Sequence, residues 1–325
     1  MEGEALNHPE SSAPSPDASA SLKLSLVRPK QPFALALLLP CWLAMAWLVS
    51  EAKWFWNNRP DLQFGWIVLM LCGYLVWEAW ETRPSFRVHS SWTAVLIGFA
   101  GFAVLSAFQV YRMAFGTTPA ALFCLAFGVM LIAASNLSYV FGSAGVRHFG
   151  FAFGFLLVAL PLPGVLYVAV VTGLQSFVAS LSVNLLNLAG VPARCSGSVI
   201  HLAQCTVGVD EACSGIRSLQ STIMATLFIG YLTLKRAGLK VLLLGIGVVL
   251  AICGNLMRSF FLSYTANARG LKALQSVHDT AGWSILLFTA AGVALFAWLL
   301  AKLEKTVQRV HNERESGKTG ALRSR

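Results

Sequence analysis

The sequence predicts an all-α polytopic membrane protein. About eight transmembrane helices are expected, with a small extracytoplasmic β/loop cap before the helix that opens at Cys213. Three observations predict this. The 325-residue chain is 56% hydrophobic and 12% charged, with a mean hydropathy of +0.67, whereas soluble domains carry about 25% charged residues. Its apolar residues gather into long runs, most of them near the ~20 residues a spanning helix needs. One interval, 191–209, breaks the pattern with short β-type segments divided by glycine and polar residues.

The same composition excludes other classes. The formal net charge of +10 fits cationic loops on the cytoplasmic side of a bilayer. Basic grooves lined by aromatic stacking platforms are absent, so no nucleic acid partner is expected and the lipid bilayer is the expected surroundings. None of the seven cysteines forms a CxxC or a Cys/His cluster. No metal and no cofactor are therefore expected.

Along the chain, residues 1–31 open with a stretch rich in Ser, Pro, Ala and Glu and read as a disordered cytoplasmic tail. Apolar runs follow at about 33–50, 64–80, 92–111, 119–142, 149–163, 165–190, 212–234, 239–265 and 279–303. The first is long enough to span and lacks a small-x-small cleavage site, which disfavours a signal peptide. Together they define a multi-pass membrane domain, 32–303, followed by a basic cytoplasmic tail, 304–325.

Lys and Arg orient these runs. Clusters at Lys23/Arg28/Lys30, Arg83/Arg87, Arg147, Lys235/Arg236/Lys240 and the tail from Lys302 are placed in the cytoplasm. Arg147 inside and the loop 191–210 outside leave room for one crossing between them, yet two apolar runs intervene. The expected solution is that 149–163 crosses and breaks at Pro161–Gly164. Run 165–190, with Thr172, Gln175, Ser176 and Asn184, then lies at the outer interface. Trp54, Trp56, Trp77, Trp80 and Trp92 read as interfacial belt residues. In the cap, Cys195 and Cys205 are equally readable as a disulfide or as two thiols.

Ionisable residues are rare in the apolar part, which makes their positions informative. Between Glu81 and Glu304 the acids are Asp210, Glu211 and Asp279. Asp210 is an expected N-cap, placing Cys213 in the first turn of a helix and lowering its thiol pKa through the helix dipole. The two acids act in the opposite sense, so the sign of the net shift stays open. Arg217 lies one turn on from Cys213. Arg258 sits about 27 Å above Lys240 along a helix, and Asn255 lies one turn below it, where it can orient the guanidinium. An intramembrane arginine is a functional candidate, with a snorkelling anchor as the alternative. His278 is expected at the N-terminus of the last long helix, beside Asp279. Alone it reads as a cap. Topology places Cys213, Arg258 and His278 at one membrane face, and a nucleophile, a cation and a proton carrier are what thiol-based acyl transfer needs.

At these residues the sequence resembles the exosortase/archaeosortase family of membrane cysteine transpeptidases. The carrying segments are Glu211–Leu219 (EACSGIRSL), Asn255–Arg258 (NLMR) and His278–Trp283 (HDTAGW), with Leu160–Pro163 and Leu174-Gln175 upstream. The resemblance implies a nucleophile at Cys213, an essential arginine at Arg258 and a histidine at His278, with Arg217, Asn255 and Asp279 in support. It also implies an enzyme of the bacterial cytoplasmic (inner) membrane with its active site on the extracytoplasmic face. Its partners would be exported proteins bearing a C-terminal sorting signal: a short motif, a membrane helix and a basic tail. The sequence leaves the oligomeric state open. The rival reading is a non-enzymatic transporter or assembly subunit of an export or polysaccharide system, but transporters tend to place such groups near mid-membrane. A thiol redox protein would need a resolving cysteine, and Cys205 is the nearest in sequence.

Overall fold

Apolar runs in a medium without water must satisfy every backbone group internally, and they do so as helices. The computed structural model describes residues 36–86, 88, 91–208 and 215–323, with the side chains of Asp279 and of residues beyond 313 left out. Its helices are α1 (Leu39–Asn58), α2 (Gly65–Glu81), α3 (Trp92–Phe115), α4 (Pro119–Phe155), α5 (Gly164–Leu188), α6 (Ile216–Thr233), α7 (Ala237–Arg269) and α8 (Leu271–Arg323). Outward faces carry bare apolar side chains such as Phe99 and Met113, 74% and 81% exposed. That is the surface of a protein solvated by lipid.

The chain is a polytopic α-helical membrane protein, but the expected eight crossings are not reproduced. Among the described residues, five helices are long and apolar enough to cross: α3, α4, α5, α7 and α8. Helix α2 has 17 residues, about 25 Å of rise against a hydrocarbon core of about 30 Å. Helix α1 carries Glu51 and Lys53, and α6 opens with Arg217, Ser218, Gln220, Ser221 and Thr222.

Helix α4 contains a reversal. Gly142 has φ 71° and ψ −169°, outside the helical region, and divides α4 into two helical segments. The Phe141 and Phe149 rings are 5.6 Å apart, where eight residues of straight helix would rise about 12 Å. The first segment runs antiparallel to α1: Asn136 Nδ2 donates to Leu37 O at 2.7 Å, and Thr117 Oγ1 donates to Glu51 Oε2 at 2.7 Å. The second returns along α2 and α1. His148 Nε2 meets Ala79 O at 2.8 Å, Cys72 Sγ donates to Ala152 O at 3.1 Å, and Trp56 Nε1 donates to Ala159 O at 2.8 Å. Run 149–163 thus returns along the bundle and passes through a short 3-10 turn (Leu156–Ala159) before Pro161–Gly164. Trp56 is corrected from belt to core: it is 1% exposed, whereas Trp54, Trp77 and Trp92 are exposed. Trp80 is half-buried among Phe86, Phe141 and Phe149.

Helices α6, α7 and α8 follow one another down, up and down the bundle. Tyr231, near the end of α6, stacks on Phe151 at 4.1 Å. Gly247 and Gly254 let α7 approach its neighbours. A Cβ at Gly247 would strike Thr226 of α6, and one at Gly254 would come within 2.8 Å of Ile285 of α8. Small residues at such crossings are how membrane helices pack closely. At the far end, the carboxylate of Glu304 accepts from the backbone amides of Lys235 and Arg236 at 2.9 and 2.8 Å. This fixes α8 against the turn between α6 and α7.

Helix α5 is long and apolar enough to cross, yet both its ends reach the end of the bundle where Arg258 lies. The Arg59 guanidinium sits 4.8 Å from the Tyr167 ring, and Val183 and Leu186 pack with Ile200 and Phe260. The expected cap follows it. β1 (Ala193–Ser196), β2 (Val199–Leu202) and β3 (Thr206–Gly208) form one antiparallel sheet in the order β1-β2-β3. Cys195 and Cys205 are free thiols.

Candidate active site

Three successive helices supply the site. Arg217 is the second residue of α6, Arg258 sits in the upper half of α7, about three turns before its end, and His278 lies on α8. Arg258 Nη2 and His278 Nε2 are 3.2 Å apart. A guanidinium only donates, so this contact requires Nε2 to accept and the imidazole to be neutral with its proton on Nδ1. Both side chains are half-buried. They line a cavity of about 330 Å³ together with Gly215, Arg217, Ser218, Ser221, Gly282, Trp283 and Leu286. One wall repeats at helical spacing, 278, 282 and 286, and the other at 218 and 221. Two arginines and an imidazole at one opening suit a reaction that develops negative charge on oxygen.

Two helix starts differ from expectation. Helix α8 begins at Leu271, so His278 stands two turns inside it rather than at its N-terminus. The dipole acts mainly over the first turn, so His278 lies beyond its reach. Helix α6 begins at Ile216 with Gly215 as its N-cap; the expected cap, Asp210, lies outside the described residues. Gly215 has φ +79°, and a Cβ there would come within 2.6 Å of the Asn255 side chain. Glycine is required by both facts. Asn255 was expected to orient Arg258. The structure places it instead beneath Gly215, 3% exposed, with Nδ2 unpartnered among the described residues.

Cys213, Asp210 and Glu211 lie outside the described residues, as does the side chain of Asp279. Cys213 is two residues before Gly215 in the sequence, so the chain can carry its Cα no more than about 7 Å from that edge of the cavity. Sequence reasoning missed Ser218, Ser221, Gly282 and Leu286; their spacing from Arg217 and His278 along a helix face would have found them. Arg194 and His201 pair across β1 and β2 and line a separate groove on the cap. Among the described residues, no group of His, Cys, Asp and Glu could hold a metal ion.

Residues 56–297 match the family model described as transmembrane exosortase, a stretch that contains all three motif segments. No curated protein and no solved structure matches the chain.

Proposed function

The chain belongs to the transmembrane exosortase family, and on that premise we propose that it is a membrane-embedded cysteine protease/transpeptidase. It cleaves a C-terminal sorting signal from exported proteins at the extracytoplasmic face of the bacterial inner membrane and passes the protein to an acceptor. The observation that carries this reading is the Arg258–His278 contact in a cavity whose edge, Gly215, is two residues from Cys213.

The chemistry follows from the groups present. The Cys213 thiol gives up its proton, and the thiolate adds to the carbonyl carbon of the signal peptide bond. The carbonyl π pair moves to oxygen, and the Arg258 guanidinium, aided by Arg217, stabilises that oxyanion. His278 carries the proton to the leaving amine as the C–N bond breaks, leaving a thioester on Cys213. An incoming amine or water then attacks the thioester, transfers its proton through His278 and releases the thiol.

The test is processing of a reporter that ends in a motif, a membrane helix and a basic tail taken from the same genome. Cys213→Ala abolishes processing while the protein still accumulates in the membrane; continued processing would overturn the reading. Mass spectrometry of the new C-terminus separates water from an amine as acceptor.

A further inference from the structure

The cap treats its two edge strands differently. The turn between β2 and β3 is closed by Leu202 N–H donating to Cys205 O at 2.9 Å. Hydrogen-bonded and non-bonded pairs alternate along an antiparallel ladder. With the register Ile200↔Val207 and His201↔Thr206, Val207 turns its N–H and C=O toward β2. Thr206 and Gly208 turn theirs away from the sheet.

On the opposite edge the same alternation points Ala193 outward, and there the fold has supplied a partner. The Asn187 side chain on α5 accepts from Ala193 N–H at 2.9 Å and donates to Ala193 O at 3.2 Å. Thr206 and Gly208 are exposed and, among the described residues, their outward backbone groups have no such partner. Proteins usually block or cover an edge strand. Here β1 is held at Ala193, although Cys195 also turns outward, while neither outward residue of β3, which leads in sequence straight toward Cys213, has a partner for its outward backbone groups among the described residues.

We propose that the open edge of β3 holds an extended segment of the substrate protein as a fourth antiparallel or parallel strand. This rests on the proposed peptidase reading and adds how the peptide is held. Backbone pairing supplies affinity without demanding particular side chains. The occupant must be an extended polypeptide, because Thr206 and Gly208 offer donors and acceptors at strand spacing. Gly208 is seven residues from Gly215, so a peptide on this edge lies within about 25 Å of the cavity along the chain.

The experiment uses the full chain in membranes with the same reporter. A photo-crosslinking residue placed at Thr206 in the Cys213→Ala protein is expected to capture the reporter. Thr206→Pro, which deletes an outward N–H and leaves the β2 ladder intact, lowers processing roughly ten-fold, about the loss for one hydrogen bond. Thr206→Val, which keeps the N–H, stays within about two-fold of wild type by the same reasoning. Crosslinking to a second copy of the chain, no crosslink to a reporter that the wild type processes, or equal processing by the Pro and Val variants would each overturn the proposal. A wild type that leaves the reporter uncut while position 206 still captures it would instead sink the peptidase reading and keep the edge.

Discussion

Arg258 and His278 share one short contact, and their replacements separate charge from geometry. Arg258→Lys keeps the charge but loses the planar donor fork. It should lower reporter processing by about 100-fold or more, the scale of losing an oxyanion donor. His278→Gln keeps an acceptor for Arg258 and loses the proton carrier, at a cost of about 100-fold to 10,000-fold. Gly215 makes a different demand. Gly215→Ala meets both a left-handed backbone and the Asn255 side chain, and should destabilise the protein by about 1–3 kcal/mol. Asn255→Ala removes the obstacle but not the backbone strain. A double-mutant cycle read by thermal unfolding in detergent should therefore recover part, not all, of the loss. Arg258 and His278 were legible in the sequence because charge is rare in this chain and Lys/Arg bias set the topology. The role of Asn255 was not legible: one turn below Arg258 is also one turn below Gly215, and only tertiary packing decides which it meets.

At the scale of elements, hydropathy marked what sits at membrane depth and missed what extends beyond. The runs ending at 142 and beginning at 149 bracket the reversal at Gly142. The run beginning at 279 missed two turns of α8, because Leu271–Val277 mixes Lys272, Gln275 and Ser276 with apolar residues. Close crossings were also invisible without coordinates. Gly254 stands four residues from Arg258, and a Cβ there would press on Ile285 of α8. Gly254→Val should push α8 outward and weaken the Arg258–His278 contact. Processing should fall by more than about ten-fold, the scale on which a 1 Å displacement acts. An equivalent loss from a Val at Gly238, which faces open space, would argue against this account.

For the whole molecule, the decisive quantity is which side each end of the bundle faces. The proposed orientation, from the positive-inside bias, has Lys235 and Arg236 in the cytoplasm and the cap outside. Cys195 is an exposed thiol on that cap, and Gly238 is exposed at the other end. In a protein carrying Cys205→Ser and Cys213→Ala, a membrane-impermeant maleimide applied to spheroplasts should label Cys195, and the signal should vanish when Cys195→Ser is added. A thiol introduced by Gly238→Cys should label only after the membrane is opened. Labelling of Gly238→Cys from outside, with Cys195 reached only after the membrane is opened, would invert the proposed face.

Glu304 has a consequence in time. Its carboxylate grips the turn before α7, while His278, which completes the cavity, lies 26 residues earlier on the same helix. During synthesis His278 leaves the ribosome well before the residue that seats its helix. The cavity is therefore assembled last, after every earlier crossing has been made. A chain stalled before residue 304 carries all three chemical groups of the proposed reaction without the clasp that seats α8 against the turn before α7.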